Sequence, residues 1–117
     1  MHEAGIAEYL VEVAERHLAS VPHGRVRALH LRVGELTGVN PDSLDFAFEC
    51  LSQGTALEGA ALAVERVPLV VSCDACGRST AVEDYVFRCG GCGADGVRIA
   101  SGRELQFVSI ETDDPEE

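Results

Sequence analysis

Basic side chains are scarce in this chain of 117 residues. Nine lysines and arginines face twenty aspartates and glutamates, for a formal net charge of −11. Nucleic-acid binding begins with a basic face, so such a chain repels phosphate backbones. The same charge serves solubility and names no partner. Aromatic residues make up only 5%, and no basic strand carries them in the pattern that stacks on bases. No apolar run approaches the roughly 20 residues of a membrane-spanning helix. Glu3, Glu8 and Glu12 interrupt the apolar residues at the amino end, which is not the pattern of a signal peptide. There is no phosphate-binding glycine loop and no Ser/His/Asp set, so the expectation is a protein that is not an enzyme. Internal repeats and low-complexity linkers are missing too.

What the chain does have is cysteine at metal spacing. Cys73/Cys76 and Cys89/Cys92 are two pairs, each with two residues inside, and twelve residues, Gly77 to Arg88, lie between them. A two-residue gap lets both thiolates of a pair point at one ion from a tight turn. Gly77 and Gly93 follow the second cysteine of each pair, where a turn commonly needs a positive φ that glycine adopts cheaply. Two facing knuckles of this kind make a closed, structural four-cysteine site of the zinc-ribbon type. Iron is held by similar knuckles in small electron carriers. Disulfides are the weaker reading of this spacing. Metal binding there would supply on the order of 10 kcal/mol, enough to fold a lobe with little core of its own. Metal-spaced cysteines without an export signal point to the reducing cytoplasm.

Apolar periodicity places this lobe within a larger domain. Residues 3 to 20 predict a helix, with Ile6, Tyr9, Leu10, Val13, Ala14, His17 and Leu18 on its buried stripe. Arg25 to Leu36 alternates as a strand with Leu29, Leu31 and Val33 on its covered side, and His30 is expected on the solvent side. Asn40-Pro41 opens a second helix, since asparagine caps the first free N–H groups and proline fits the first turn. Its buried side is expected to hold Leu44, Ala47, Phe48 and Leu51, with Cys50 as a small buried side chain. Ala61 to Ser72 reads as one strand with a bulge or an edge at Pro68, which has no N–H for a ladder. Val82 to Phe87 is expected to form a short hairpin arm, Gly93, Gly96 and Gly102 a hinge, and Arg103 to Ile110 a third strand. Thr112 to Glu117 reads as a disordered acidic tail. The expected fold is α+β: two helices on a small three-stranded sheet, with an inserted four-cysteine zinc-ribbon lobe. In domain terms, residues 1–72 and 102–117 form the α+β part and residues 73–101 the ribbon.

Met1-His2-Glu3 offers a second ligand set. The α-amine of Met1 with the amide nitrogen and imidazole of His2 can form fused chelate rings, and this donor set suits planar Ni(II) or Cu(II), not zinc. The competing reading is a solvated histidine ahead of a helix whose dipole Glu3 answers.

Met1-His2-Glu3, the strand end Val33-Gly34-Glu35-Leu36, the four-cysteine ribbon, and the closing Glu104-Leu105 and Ser109-Ile110-Glu111 occur together in this order. In that combination, over essentially the whole chain, the sequence resembles the HypA/HybF family of hydrogenase maturation factors. The resemblance implies a nickel metallochaperone that delivers Ni(II) to the large subunit of [NiFe]-hydrogenase. Nickel would be held as transient cargo by His2, with Met1 and Glu3 supplying backbone nitrogen. Structural zinc would be held by Cys73, Cys76, Cys89 and Cys92. It further implies a HypB-type GTPase partner and, in some organisms, urease maturation proteins. Charge and hydropathy add the expectation of no nucleic-acid and no membrane partner, and the chain is expected to be a monomer or weak homodimer. Glu8 and Glu12, exposed beside the nickel site, are candidates for the GTPase contact. Two features depart from the family pattern: Ala4-Gly5 in the first helical turn, and a second knuckle, Cys89-Gly90-Gly91-Cys92, without the usual proline. The rival from another class is a zinc-ribbon module for protein or nucleic-acid interaction without nickel function. A rubredoxin-type iron carrier is a third reading, against which stands the three quarters of the chain outside the ribbon.

Overall fold

The computed structural model describes residues 3–115. Its elements in chain order are helix α1 (Glu3–Leu18), strand β1 (Val26–Gly34), a 3-10 turn (Glu35–Thr37), helix α2 (Pro41–Ser52) and strands β2 (Ala61–Val67), β3 (Val70–Cys73), β4 (Ser79–Ala81), β5 (Val97–Ser101) and β6 (Leu105–Thr112). The described residues divide into two compact units. One takes the chain up to Arg32, Val39–Glu65 and the stretch from Gln106, and the other takes Val33–Gly38 and Arg66–Leu105.

In the first unit α1 and α2 pack on each other. The strands form a three-stranded sheet in the order β2-β1-β6. The buried side chains are Ala7, Leu10, Ala14 and Leu18 of α1, Val26, Leu29 and Leu31 of β1, Leu44 and Phe48 of α2, and Leu57. Burying a side chain such as Phe48 stabilises by about 2–3 kcal/mol, so this set is the core. α2 starts as expected: the Asn40 side chain accepts from the Ser43 N–H at 3.0 Å, and Pro41 follows it.

The helical stripes are rotated from the sequence expectation. Ala7 is buried on α1, whereas Tyr9 is 61% exposed and His17 is exposed. On α2, Cys50 and Leu51 are exposed, against the expectation that both are buried. Burial on a helix depends on where its neighbours lie, and on α1 the buried side is taken by Ala7, Leu10, Ala14 and Leu18.

Pro68 divides what the sequence reads as one strand. β2 ends at Val67 in the first sheet and β3 begins at Val70 in a second, ordered β4-β3-β5. The proline carries no N–H, and its carbonyl accepts from the Ser101 hydroxyl at 2.7 Å. β5 lies where only a glycine hinge is expected. It pairs antiparallel with β3, Val71 opposite Ile99 and Cys73 opposite Val97. The expected hairpin over Val82–Phe87 is instead a turn, with the Val86 N–H on the Glu83 carbonyl at 3.0 Å and Tyr85 68% exposed. β4 precedes it and pairs with β3. Nor does the acidic tail begin where composition suggests. Thr112 closes β6, the Asp113 N–H donates to the Arg25 carbonyl at 2.8 Å, and the Asp113 carbonyl accepts from Gly24 at 2.9 Å. The last two residues of the expected tail, Glu116 and Glu117, lie outside the described residues.

Candidate metal centre

β3 delivers the first cysteine. Cys73 is its last residue, buried, with its N–H on the Arg78 carbonyl at 2.9 Å. The chain then turns so that the Gly77 N–H returns to the Cys73 carbonyl at 2.9 Å, with Gly77 at φ 75°. The second knuckle repeats the design: the Gly93 N–H meets the Cys89 carbonyl at 2.9 Å, with Gly93 at φ 76°. Both glycines occupy the left-handed region that their positions after the cysteine pairs predict.

The two knuckles bring all four sulfurs together. Cys73 Sγ lies 3.6 Å from Cys92 Sγ, Cys76 Sγ lies 3.6 Å from Cys89 Sγ, and all four lie within 4.8 Å of one another. Sulfurs on a tetrahedron with metal–sulfur bonds of 2.3 Å stand about 3.8 Å apart, so the cluster fits a zinc ion. A disulfide requires about 2.05 Å, and the cysteines are free. With four protein ligands the site has no open position for substrate, which marks it as structural.

Hydrogen bonds divide the charge unevenly among these sulfurs. Cys89 Sγ accepts from the Cys92 N–H at 3.4 Å and the Gly91 N–H at 3.3 Å. Those two donors, Cys92 first, hold its thiol down to about 6 against the cost of burial. For Cys76 the Arg78 N–H favours the thiolate, but the bond with Cys89, burial and the other two sulfurs outweigh it and push the thiol up to about 12. Cys92 is also raised: the Ala94 N–H favours its thiolate, and the bonds with Cys73 and Cys89 overcome that. Without a cation, four adjacent sulfurs cannot all be charged. A divalent ion replaces the protons they share.

Residues with no metal-ligand signature brace the knuckles. Thr80 Oγ1 accepts from the Gly90 N–H at 3.0 Å, Arg98 pairs with Asp74 at 2.8 Å, and Arg88 with Asp95 at 3.2 Å. Arg98 and Asp74 are 24 positions apart, so no local spacing announces the pair. Of the expected nickel set, Met1 and His2 lie outside the described residues. Glu3 begins α1, and its Oε2 accepts from the Asn40 backbone N–H at 3.1 Å. No helix among the described residues is long and apolar enough to cross a membrane.

Fold and site define an α+β metal-binding protein with a four-cysteine site suited to zinc. Residues 1–112 match the protein-family model described as "Hydrogenase/urease nickel incorporation, metallochaperone, hypA", and the chain belongs to this HypA family of nickel metallochaperones. Among its relatives is the hydrogenase maturation factor HypA of Roseiflexus sp. (strain RS-1), 46% identical over 115 residues that cover 97% of this chain and 94% of that protein. The HypA of Geobacter metallireducens is 42% identical over 113 residues, covering 97% and 100%. The solution structure of the Ni metallochaperone HypA from Helicobacter pylori shares the fold, with a TM-score of 0.64 at 20% identity over 97% of this chain and 99% of that one.

Proposed function

We propose that this chain binds Ni(II) at its amino end and delivers it to the large subunit of [NiFe]-hydrogenase in the cytoplasm. The ligands are the Met1 amine, the His2 amide and imidazole, and the Glu3 backbone nitrogen. Zinc held by Cys73, Cys76, Cys89 and Cys92 keeps the ribbon folded. In this reading residues 1–72 and 102–117 handle nickel and residues 73–101 carry the structural metal. The observation that carries it is Met1-His2-Glu3 standing at the start of α1 in a chain of this family. Four nitrogen donors of this kind fill a planar site, the preference of Ni(II). α1 begins at Glu3, and helix N–H groups of the first turn have no acceptor within the helix, so coordination there breaks no helical bond.

Lacking a phosphate-binding loop, the chain takes its nucleotide-driven step from a HypB-type GTPase. Glu8 and Glu12 support a contact on α1, since both are exposed. A pull-down unaffected by reversing both charges would remove them. Calorimetry with nickel on the untagged, zinc-loaded protein tests the site itself. His2→Ala and a single residue added before Met1 should each strongly weaken nickel binding and leave zinc content unchanged. Equal affinity in the extended form would exclude the amine as a ligand.

A further inference from the structure

We propose that the Glu3 carboxylate is a positioning residue of the nickel site and not one of its ligands, held in place by the cap of α2. The proposal rests on the nickel reading above.

A capping box needs two reciprocal bonds. The N-cap side chain accepts from the N–H three residues on, and a Glu or Gln at that third position reaches back to the N-cap N–H. α2 has the first bond, from the Ser43 N–H to Asn40 Oδ1 at 3.0 Å. The third position is Ser43 itself, where the box calls for a longer side chain. The second bond comes from elsewhere in the chain: Glu3 Oε2 accepts from the Asn40 N–H at 3.1 Å, across 37 positions of sequence. The first residue of α1 thus completes the cap of α2, and the positive end of the α2 dipole favours the carboxylate there.

This bond has a consequence for the metal. Glu3 carries both the tethered carboxylate and the backbone nitrogen that follows His2. Fixing the carboxylate limits the directions in which that nitrogen can point. Anchoring removes conformational freedom that nickel binding would otherwise have to remove. The carboxylate has no remaining place in the coordination plane, which four nitrogens already fill.

Two variants of the full-length, untagged, zinc-loaded chain separate the roles. Glu3→Gln keeps an acceptor of the same length, and Glu3→Ala keeps none. Amide hydrogen exchange at Asn40 without nickel reads the tether, while nickel calorimetry and the Ni(II) absorption spectrum read the site. Glu3→Gln should hold Asn40 protection, the wild-type spectrum and an affinity within about threefold, whereas Glu3→Ala should lose roughly tenfold in both protection and affinity with the same spectrum. If Glu3→Gln loses affinity as Glu3→Ala does, or changes the spectrum, the carboxylate is a ligand and the proposal is overturned. Wild-type affinity in Glu3→Ala would overturn it from the other side. Should His2→Ala bind nickel as wild type does, the nickel reading fails and the positioning role with it, while exchange at Asn40 still shows whether the tether exists.

Discussion

Arg27 holds Asp113 at two points, Nε to Oδ1 at 3.0 Å and Nη2 to Oδ2 at 2.8 Å. This fork secures the residue after β6, whose backbone pairs with Arg25 and Gly24. The Arg27 guanidinium donates to the Asp113 carboxylate and holds it below its usual range. A carboxyl with a lowered folded-state pKa stabilises the fold fully above about pH 4, and that stability is lost as pH falls through the lower folded value. Asp113→Asn should therefore lower Tm at pH 7 by a small amount, because both partners are about half exposed and screened by solvent. The difference from wild type should close in acid. A gap that persists at pH 2 would mean that the side chain acts through packing and not charge.

Removing one sulfur should undo the second sheet selectively. Cys73→Ala or Cys92→Ala leaves three ligands, and zinc content measured on the purified protein should fall below one tenth of wild type. Amide protection in β3, β4 and β5 should drop with it, whereas α1 and α2 keep theirs, because their core shares no cysteine. Full zinc occupancy in either variant would show that the four sulfurs are not the site.

Zinc binding should release protons. In the folded ribbon the Cys92 and Gly91 N–H groups hold the Cys89 thiol down to about 6, whereas Cys76 and Cys92 are raised, so near pH 7.5 the ion displaces protons from Cys76 and Cys92 and fewer than four in all. Affinity should therefore weaken as pH falls, more steeply below about 6, where Cys89 also takes up a proton. Calorimetry in buffers of differing ionisation enthalpy counts the protons. Release of four at that pH would place Cys89 among the protonated thiols.

Two glycines should respond in opposite directions. A Cβ on Gly34 would lie 2.7 Å from the Arg103 backbone nitrogen and closer still to the Gly102 carbonyl, in the place where the Gly34 N–H reaches the Glu104 carbonyl at 2.6 Å. Backbone cannot yield there as a side chain would, so Gly34→Ala should cost on the order of 3 kcal/mol or more. Gly5 has nothing within 4 Å of such an atom and lies in α1. Gly5→Ala should stabilise by up to about 1 kcal/mol. Chemical denaturation of both variants checks the pair.

The chain by itself determined whatever depends on a few neighbouring residues. The two knuckles, the Asn40-Pro41 helix start, and the buried face of β1 at Leu29, Leu31 and Val33 all follow from local stereochemistry and short spacing. So did the four sulfurs as one site, since each pair is a local turn and one ion needs both. Only the tertiary structure decided what depends on distant partners. Val97–Ser101 is a strand because β3 has an open edge beside it, although its glycine-flanked sequence reads as a hinge. Tyr9 and Cys50 face outward because the helices meet along other residues, a rotation that apolar periodicity alone does not set. Asp113 is ordered by Arg27 from 86 positions away. Glu3 finds its partner in Asn40 and not solely in the dipole of its own helix. In each case the deciding atom lies far along the chain, and its approach is set by packing, which local propensity does not contain.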